Sequence, residues 1–459
     1  MEDLPSSISP CSNFRRSCKS IMQDICFDNV CFGEAKGEEA FKDDGRRSVF
    51  INHSALDMLG TKITGSILEQ EQIETSKTCE NSLFEEREEN SVLECINNLK
   101  FASWDEDNWH YSAVNYAREH MKRSNTFKIQ KFERIALYIM VMDCINFCFW
   151  PTNDYIATPN KNLLEYEHLA YALKMIAEND DVFVDNNPNA NNVDAEESHV
   201  NHLLTKAEDS YALAPQNLIK LTAESFTKML TRHLPQVQTD EGNINDVCVI
   251  PNSEERVRLL IEMSQTLLTF HQGSATSFIS KANQSSDRLV QLILQSFPGF
   301  RDATIAPKGG RWVAFYKRAQ ILVADLWAAL GDEDVKRLKY GSDLCNFYDM
   351  DKITTFADYR VPQLLRHLNI LKYSPRLAAI VDNGVEICPF SMDEIYIRAA
   401  TVVAVDDLVT QVKFNIESKS DLEKKINAVK MDWYLWNIGE KLDRKGSLGK
   451  HHLVRTIFY

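Results

Sequence analysis

Phe315-Tyr316-Lys317-Arg318-Ala319-Gln320-Ile321-Leu322-Val323-Ala324-Asp325-Leu326-Trp327 is the stretch that decides the fold class. Over Trp312 to Leu330, Phe315, Ala319, Leu322, Leu326 and Ala329 recur at helical spacing, and Gly331 stands just past the end. That period predicts a core helix with its own stop signal. Outward from it, Glu255 to Phe270 repeats the pattern through Val257, Leu260, Ile261, Leu267 and Leu268. Leu289 to Phe297 continues it until Pro298-Gly299. Phe132 to Trp150 is apolar nearly all round, which predicts a buried helix ended by Pro151. Ser391-Met392-Asp393-Glu394 has capping-box spacing ahead of a helix from Ile395 to Val409. Short strands are expected only near Val49–Ile51 and at the C-terminus. The fold class is therefore mainly α, a single compact helical domain.

The chain has 459 residues, with 51 Lys+Arg against 66 Asp+Glu and a net charge of −15. Binding along a phosphate backbone rests on clustered cations, so a direct nucleic-acid partner is not expected. The longest apolar stretch, Ile135 to Trp150, is interrupted by Asp143 and Asn146. It is too short for a membrane span, which needs roughly 20 apolar residues. Met1-Glu2-Asp3-Leu4-Pro5 does not resemble a secretory leader. The eleven cysteines then read as reduced thiols of a cytoplasmic protein, with the nucleus as the alternative compartment. Cys11, Cys18, Cys26 and Cys31 match no standard zinc spacing, and His199 and His202 read as solvated, so no metal is expected.

Composition divides the chain further. Residues 1–47 are polar and lack periodicity, which predicts a flexible polar extension. Residues 48–459 form the helical domain, with polar insertions at about 62–98, 178–204 and 235–252. Glu85-Glu86-Arg87-Glu88-Glu89 and the run Asn186-Asn187-Pro188-Asn189-Ala190-Asn191-Asn192 are their extremes, although Val92 to Leu99 reads as a short helix.

Three segments place polar residues in apolar surroundings. Lys317 and Arg318 open the helix quoted above, with Asp325 two turns on. They either snorkel and pair locally or present a cation to an anionic ligand. In Phe356-Ala357-Asp358-Tyr359-Arg360-Val361-Pro362-Gln363, Pro362 marks the start of a helix from Gln363 to Leu371. Asp358 either caps that helix, pairs with Arg360, or does chemistry. In Asp432-Trp433-Tyr434-Leu435-Trp436-Asn437, a carboxyl among three aromatics is either a satisfied core acid or one held partly protonated by its apolar site.

Taken together these strings resemble the queuosine salvage proteins, the queuosine 5′-phosphate N-glycosylases (hydrolases). The resemblance is carried by Asn146-Phe147-Cys148-Phe149-Trp150-Pro151, Phe297-Pro298-Gly299-Phe300-Arg301-Asp302, Phe315–Trp327, Phe356–Gln363 and Asp432–Trp436. Ser48-Val49-Phe50-Ile51-Asn52 and Val454-Arg455-Thr456-Ile457-Phe458-Tyr459 resemble the family's ends. It covers roughly 49–61, 100–178 and 205–459, and leaves out the polar segments.

That resemblance implies a helical fold related to the helix-hairpin-helix DNA glycosylases. It implies hydrolysis of queuosine 5′-monophosphate to queuine and ribose 5-phosphate, without cofactors, so that queuine is salvaged for tRNA modification. The expected partner is this small nucleotide, acted on by a monomer with no membrane or direct nucleic-acid partner.

The residues then take roles. Asp358 is the expected carboxylate beneath the sugar, where it steadies positive charge on the ribose or orients water. Asp432 is expected at the guanine-like edge of the base, with Phe356 and Trp433 as stacking surfaces. Lys317 and Arg318 are expected on the 5′-phosphate, with Tyr359, Arg360, Tyr434 and Asn437 completing the binding set. His110 aligns roughly with a tryptophan–histidine segment of the family, although a lone histidine serves structure as readily. At Asn437 the family pattern often has an acid, so this chain departs there. Three other readings compete: a non-catalytic nucleotide- or base-binding protein, a DNA-base glycosylase, and a helical interaction scaffold. The net charge of −15 counts against the second.

Overall fold

Helical periodicity dominates the chain, and helices dominate the architecture. The computed structural model describes residues 9–23, 48–76, 125–150, 164–179, 211–234, 250–331, 343–416, 423 and 425–459. In chain order these form α1 (Pro10–Gln23), β1 (Val49–Ile51), α2 (His53–Ser76), α3 (Asn125–Ile145), α4 (Tyr166–Asn179), α5 (Pro215–Leu218) and α6 (Ala223–Thr231). Then follow α7 (Ser253–His271), α8 (Ala275–Ser280), α9 (Ser286–Ser296), β2 (Ala303–Ile305), β3 (Trp312–Ala314) and α10 (Lys317–Leu330). The last part contains α11 (Arg360–His367), β4 (Leu371–Tyr373), α12 (Pro375–Asp382), α13 (Met392–Asn415) and α14 (Ala428–Arg444). The mainly α class holds. The expected strand at Val49–Ile51 pairs antiparallel with β4, Phe50 opposite Lys372. At the C-terminal end there is a single parallel bridge, Glu386 to Leu453.

Apolar side chains gather into two clusters. One is built around α3, α4 and α7 to α10, with Leu137, Leu173, Leu260 and Leu322 inside. The other joins α1, α2, α11, α13 and α14 through Phe14, Ile63, Leu364, Val405 and Leu435. α10 packs on α3, while α14 packs on α11 and α13. α10 and α14 therefore face one another across the seam between the clusters.

Several boundaries differ from the sequence reading. The extension expected over 1–47 contains α1, whose Phe14 and Cys18 are fully buried against the second cluster. Its polar residues obscured an amphipathic helix. Cys11 lies in the first cluster and Cys18 in the second, so these two thiols are core residues. The first part of the insertion placed at 62–98 is helix, because α2 runs on to Ser76 and buries Ile63 and Ile67. Within the insertions expected at 178–204 and 235–252, most positions lie outside the described residues, as do Val92 to Leu99, Cys26, Cys31, His199 and His202.

The helix expected as far as Trp150 ends at Ile145. Arg256, buried on α7, supplies the reason: its guanidinium donates to the carbonyls of Ile145, Phe147 (2.6 Å) and Cys148 (3.1 Å). Those orphan carbonyls need no further helical turn, and Cys148 adopts φ 42°. Trp312–Ala314 is strand rather than helix, hydrogen-bonded to β2. α10 starts abruptly after Tyr316, at φ 49°.

Candidate active site

The site grows from three segments that meet at the seam. The first is the cavity-facing stripe of α10. Lys317, Ile321 and Asp325 are spaced by four residues, so they fall on one helical face. All three line a cavity of about 240 Å³. The start of α10 is anchored by Asp302: its carbonyl accepts from Phe315 N at 2.8 Å, and Oδ2 accepts from Lys317 N at 3.3 Å.

The second segment is the stretch 354–359, which is irregular and has to be held by side chains. Three helices hold it. From α10, Gln320 Oε1 accepts from Thr354 N at 2.9 Å and from its hydroxyl at 3.1 Å. From α14, Asp432 Oδ1 accepts from the Thr355 hydroxyl and from Phe356 N at 2.8 Å. From α13, Arg398 Nε donates to the Ala357 carbonyl at 2.9 Å. Arg398 is 0% exposed. It also grips Asp302 with both Nη atoms, at 3.0 and 2.5 Å, and reaches Glu394 at 3.4 Å. One guanidinium thus fixes both the root of α10 and the peptide before Asp358. Burial works most strongly against its charge, but Asp302, by charge and hydrogen bond, together with Glu394 and Tyr459 holds the guanidinium above its ordinary range.

The third segment is one face of α14. Asp432, Trp433, Trp436, Asn437, Glu440, Lys441 and Arg444 all line the cavity. Tyr434, between them in sequence, points into the second apolar cluster instead. Gly439 lets α14 approach α11, since a Cβ there would lie 3.0 Å from Arg360 Cγ and Cδ.

The sequence-derived candidates therefore separate. Lys317, Phe356, Asp358, Tyr359, Asp432, Trp433 and Asn437 share the cavity wall. Arg318 does not: it is 1% exposed and donates to the carbonyls of Asp143 (3.3 Å), Cys144 and Gly299, packed on Phe147 and Phe300. Both of its Nη atoms are taken by backbone carbonyls, while Nε has no hydrogen-bond partner among the described residues, so the cation expected on phosphate is a brace between α3 and α10. Arg360 turns away to Glu440 (2.6 Å), Asp443 (2.7 Å) and Gln363 (2.6 Å). Tyr434 is a core residue. His110 lies outside the described residues.

Asp358 is a capping residue that also lines the cavity. Its Oδ1 accepts from Arg360 N at 3.0 Å and Val361 N at 3.1 Å, so it does cap α11, and it also faces the cavity. Burial raises its pKa, opposed first by the charge of Lys317 and then by those backbone donors. Asp432 is pushed well above the usual carboxylate range by burial and by Asp358's negative charge. Asp325 and Asp143 are pushed up by burial as well, and Asp143's charge adds to the effect on Asp325. Lys317 is lowered by burial and supported mainly by Asp358. Its ammonium donates no hydrogen bond to a described residue, which leaves it to a ligand. The site thus brings three buried aspartates, Asp325, Asp358 and Asp432, to one lysine on an aromatic wall, with Asp143 buried behind it.

Those aromatics are braced from behind. Trp433 stacks on Trp327, with centroids 6.2 Å apart at 15°. Trp436 meets Tyr166 edge-on at 6.0 Å, and Tyr166 meets Phe149 at 6.4 Å. Sequence reasoning missed Tyr166, Glu167, Glu440, Lys441, Arg444 and Tyr459. Extending the Asp432–Asn437 stripe by helical steps would have reached Glu440, Lys441 and Arg444. Nothing local marks Tyr166 or Tyr459. A stacked aromatic surface, buried acids and a poised lysine suit a flat nitrogenous base and a sugar whose bond to it is to be broken.

Comparison with known proteins points the same way. Residues 125–233 and 208–459 match the family described as "Queuosine salvage protein". The chain is 35% identical over 356 residues to the queuosine 5′-phosphate N-glycosylase/hydrolase of Dictyostelium discoideum, spanning 77% of this chain and 85% of that protein. It is 33% identical over 329 residues to the protein so named in Sphaerobacter thermophilus, spanning 71% and 82%. For the Mus musculus protein the figures are 36% over 243 residues, 52% and 67%.

Proposed function

Because the chain belongs to the queuosine salvage protein family, we propose that it hydrolyses the N-glycosidic bond of queuosine 5′-monophosphate, releasing queuine and ribose 5-phosphate. One observation carries this reading: Asp358, Asp432 and Lys317, all buried, line one aromatic-walled cavity with Phe356 and Trp433. A binding protein would have no need of several desolvated acids, each of which opposes folding in its charged form.

In this mechanism the base lies against Trp433 and Phe356, and Asp432 engages its guanine-like edge. Asp358 stands at the sugar. As the bond to the base lengthens, positive charge grows on the ribose, and the Asp358 carboxylate stabilises it while orienting the attacking water. Lys317 favours the ionised form of Asp358 against the pull of burial. We move the phosphate away from Lys317, because a dianion would there join four carboxyl groups. Lys441 and Arg444 line the wall further along α14, with Arg444 paired to Glu167, and they are assigned to the phosphate.

The deciding assay incubates the full chain with queuosine 5′-monophosphate and detects queuine by mass spectrometry. Asp358→Asn is expected to bind substrate and release none. Queuine release by that variant at the wild-type rate would remove Asp358 from the mechanism. Lys441→Ala with Arg444→Ala is expected to raise KM for the monophosphate and leave KM for the nucleoside unchanged. An equal rise for both would refute the phosphate placement.

A further inference from the structure

Behind the cavity wall lies a carboxyl group for which the mechanism above has no use. Asp143, on α3, is 0% exposed, and neither of its oxygens has a hydrogen-bond partner among the described residues. A buried acid with no donors is costly, and such groups are rare outside functional sites. It faces α10, where Asp325 is 2% exposed and lines the cavity. We propose that Asp325 is the general acid that protonates the departing base, and that Asp143 is a positioning residue that keeps the proton on it. This rests on the N-glycosidase reading and assigns that reaction a second proton-transfer group.

The placement follows from the geometry of α10. Lys317 and Asp325 stand two turns apart on one face of that helix, about 12 Å along its axis, and both line the cavity. Trp433, the surface given to the base, stacks on Trp327, two residues beyond Asp325. Asp325 therefore lies toward the base end of the wall, away from Lys317. The other titratable groups around the pair are Lys317 and Arg318 on α10, Tyr138 on α3 and Tyr166 on α4. Lys317 and Arg318 both favour the charged form of Asp143; Lys317 also favours that of Asp325, which Asp143's charge opposes. In such a pair one member ionises and the other keeps its proton. The proton is assigned to Asp325, the member that faces the cavity. Asp432 is less suited, since Oδ1 already accepts two hydrogen bonds that favour its anion.

The chemistry needs such a donor. A 7-deazaguanine has no N7, and expelled unprotonated it is a poor leaving group. The Asp325 O–H proton passes to N3 as the C1′–N9 electron pair moves into the base, which departs neutral. Water adds its oxygen to C1′ and gives a proton to Asp358. Solvent exchange on product release returns Asp358 to the carboxylate and Asp325 to the acid, so no other reactant is consumed.

The test uses the full chain and two substrates: queuosine 5′-monophosphate and 4-nitrophenyl riboside 5′-phosphate, whose leaving group needs no proton. For Asp325→Asn, kcat on the first is expected to fall about 10²–10⁴-fold, the span of a lost general acid. Turnover of the second should stay near wild type, which also shows that the variant is folded. Loss on both substrates, or on neither, overturns the assignment. Asp143→Asn should move the alkaline limb of the kcat profile to lower pH. A uniform loss with the limb unmoved reduces Asp143 to a packing role and overturns its part. If the wild-type chain releases no queuine, the N-glycosidase reading itself has failed. If it turns over and Asp325→Asn does so equally, that reading stands and only this inference falls.

Discussion

Arg398→Met would cut the hub that joins the root of α10 to the segment bearing Asp358. The side chain lost is fully buried, between the rings of Phe315 (4.0 Å) and Tyr459 (4.3 Å). Methionine restores most of the apolar contact but none of the charge. Asp302 at 1% exposure and Glu394 at 2% would then be buried without their cation. Breaking a buried pair from one side costs about 3–5 kcal/mol. The Ala357 carbonyl, left without its donor, adds on the order of 1 kcal/mol. Set against a typical stability of about 5–15 kcal/mol, the variant should still fold, with little reserve. Function should suffer separately, because a displacement near 1 Å at a reacting group costs about 10²-fold. Urea unfolding followed by tryptophan fluorescence gives the first quantity, and steady-state kcat on queuosine 5′-monophosphate gives the second. Asp302→Asn and the double variant close a thermodynamic cycle. Neutralising both partners should destabilise less than the sum of the single changes, by roughly 0.5–3 kcal/mol. Wild-type stability and kcat in Arg398→Met, or strict additivity in the cycle, would refute the hub.

Arg318→Lys tests whether that cation is structural. A lysine cannot serve the carbonyls of Asp143, Cys144 and Gly299 with one planar fork, so a loss of about 2–4 kcal/mol is expected in urea unfolding, with KM for the monophosphate unchanged. A raised KM at constant stability would restore it to the phosphate. Asp143→Asn should change how stability varies with pH. The folded pKa of Asp143 is raised by burial, so the folded state holds this proton more tightly than the unfolded chain does. Stability of the wild type therefore falls as pH rises from the ordinary carboxylate range toward that raised value, and the Asn variant lacks this fall. Unfolding curves at a series of pH values should diverge in favour of the variant on the alkaline side. Parallel curves would show that Asp143 is not desolvated in the folded state.

Helical periodicity made the elements legible but not their neighbours. The apolar repeat of α10 and the capping residue of α13 were enough to place both helices, since these signals are local. Ends set by distant groups were not. α3 stops at Ile145, where Arg256 and Arg318, each more than a hundred residues on, take its last carbonyls. Trp312–Ala314 looked helical because its apolar residues continue the phase of the following helix, and only β2 makes it a strand. α1 was hidden by composition: its buried face is carried by Cys11, Phe14 and Cys18, among serines and arginines that read as disordered.

The same division runs through the site. Asp358, Lys317 and Asp432 could be picked out because each is a polar residue in an apolar context, a conflict visible in the string itself. What each one does depends on its company. Lys317 and Arg318 are adjacent in sequence and were given one role, yet a helix turns successive residues by about a hundred degrees. One ammonium faces the cavity; the neighbouring guanidinium is consumed by backbone carbonyls. Asp143 read as an interruption of the longest apolar run, and Asp325 as a polar residue two turns along the deciding helix. Only the packing of α3 on α10 makes them a pair. An acid buried alone would be a defect, whereas two buried together divide one proton between them. That division of a proton is a property of the pair, and a single sequence position cannot display it.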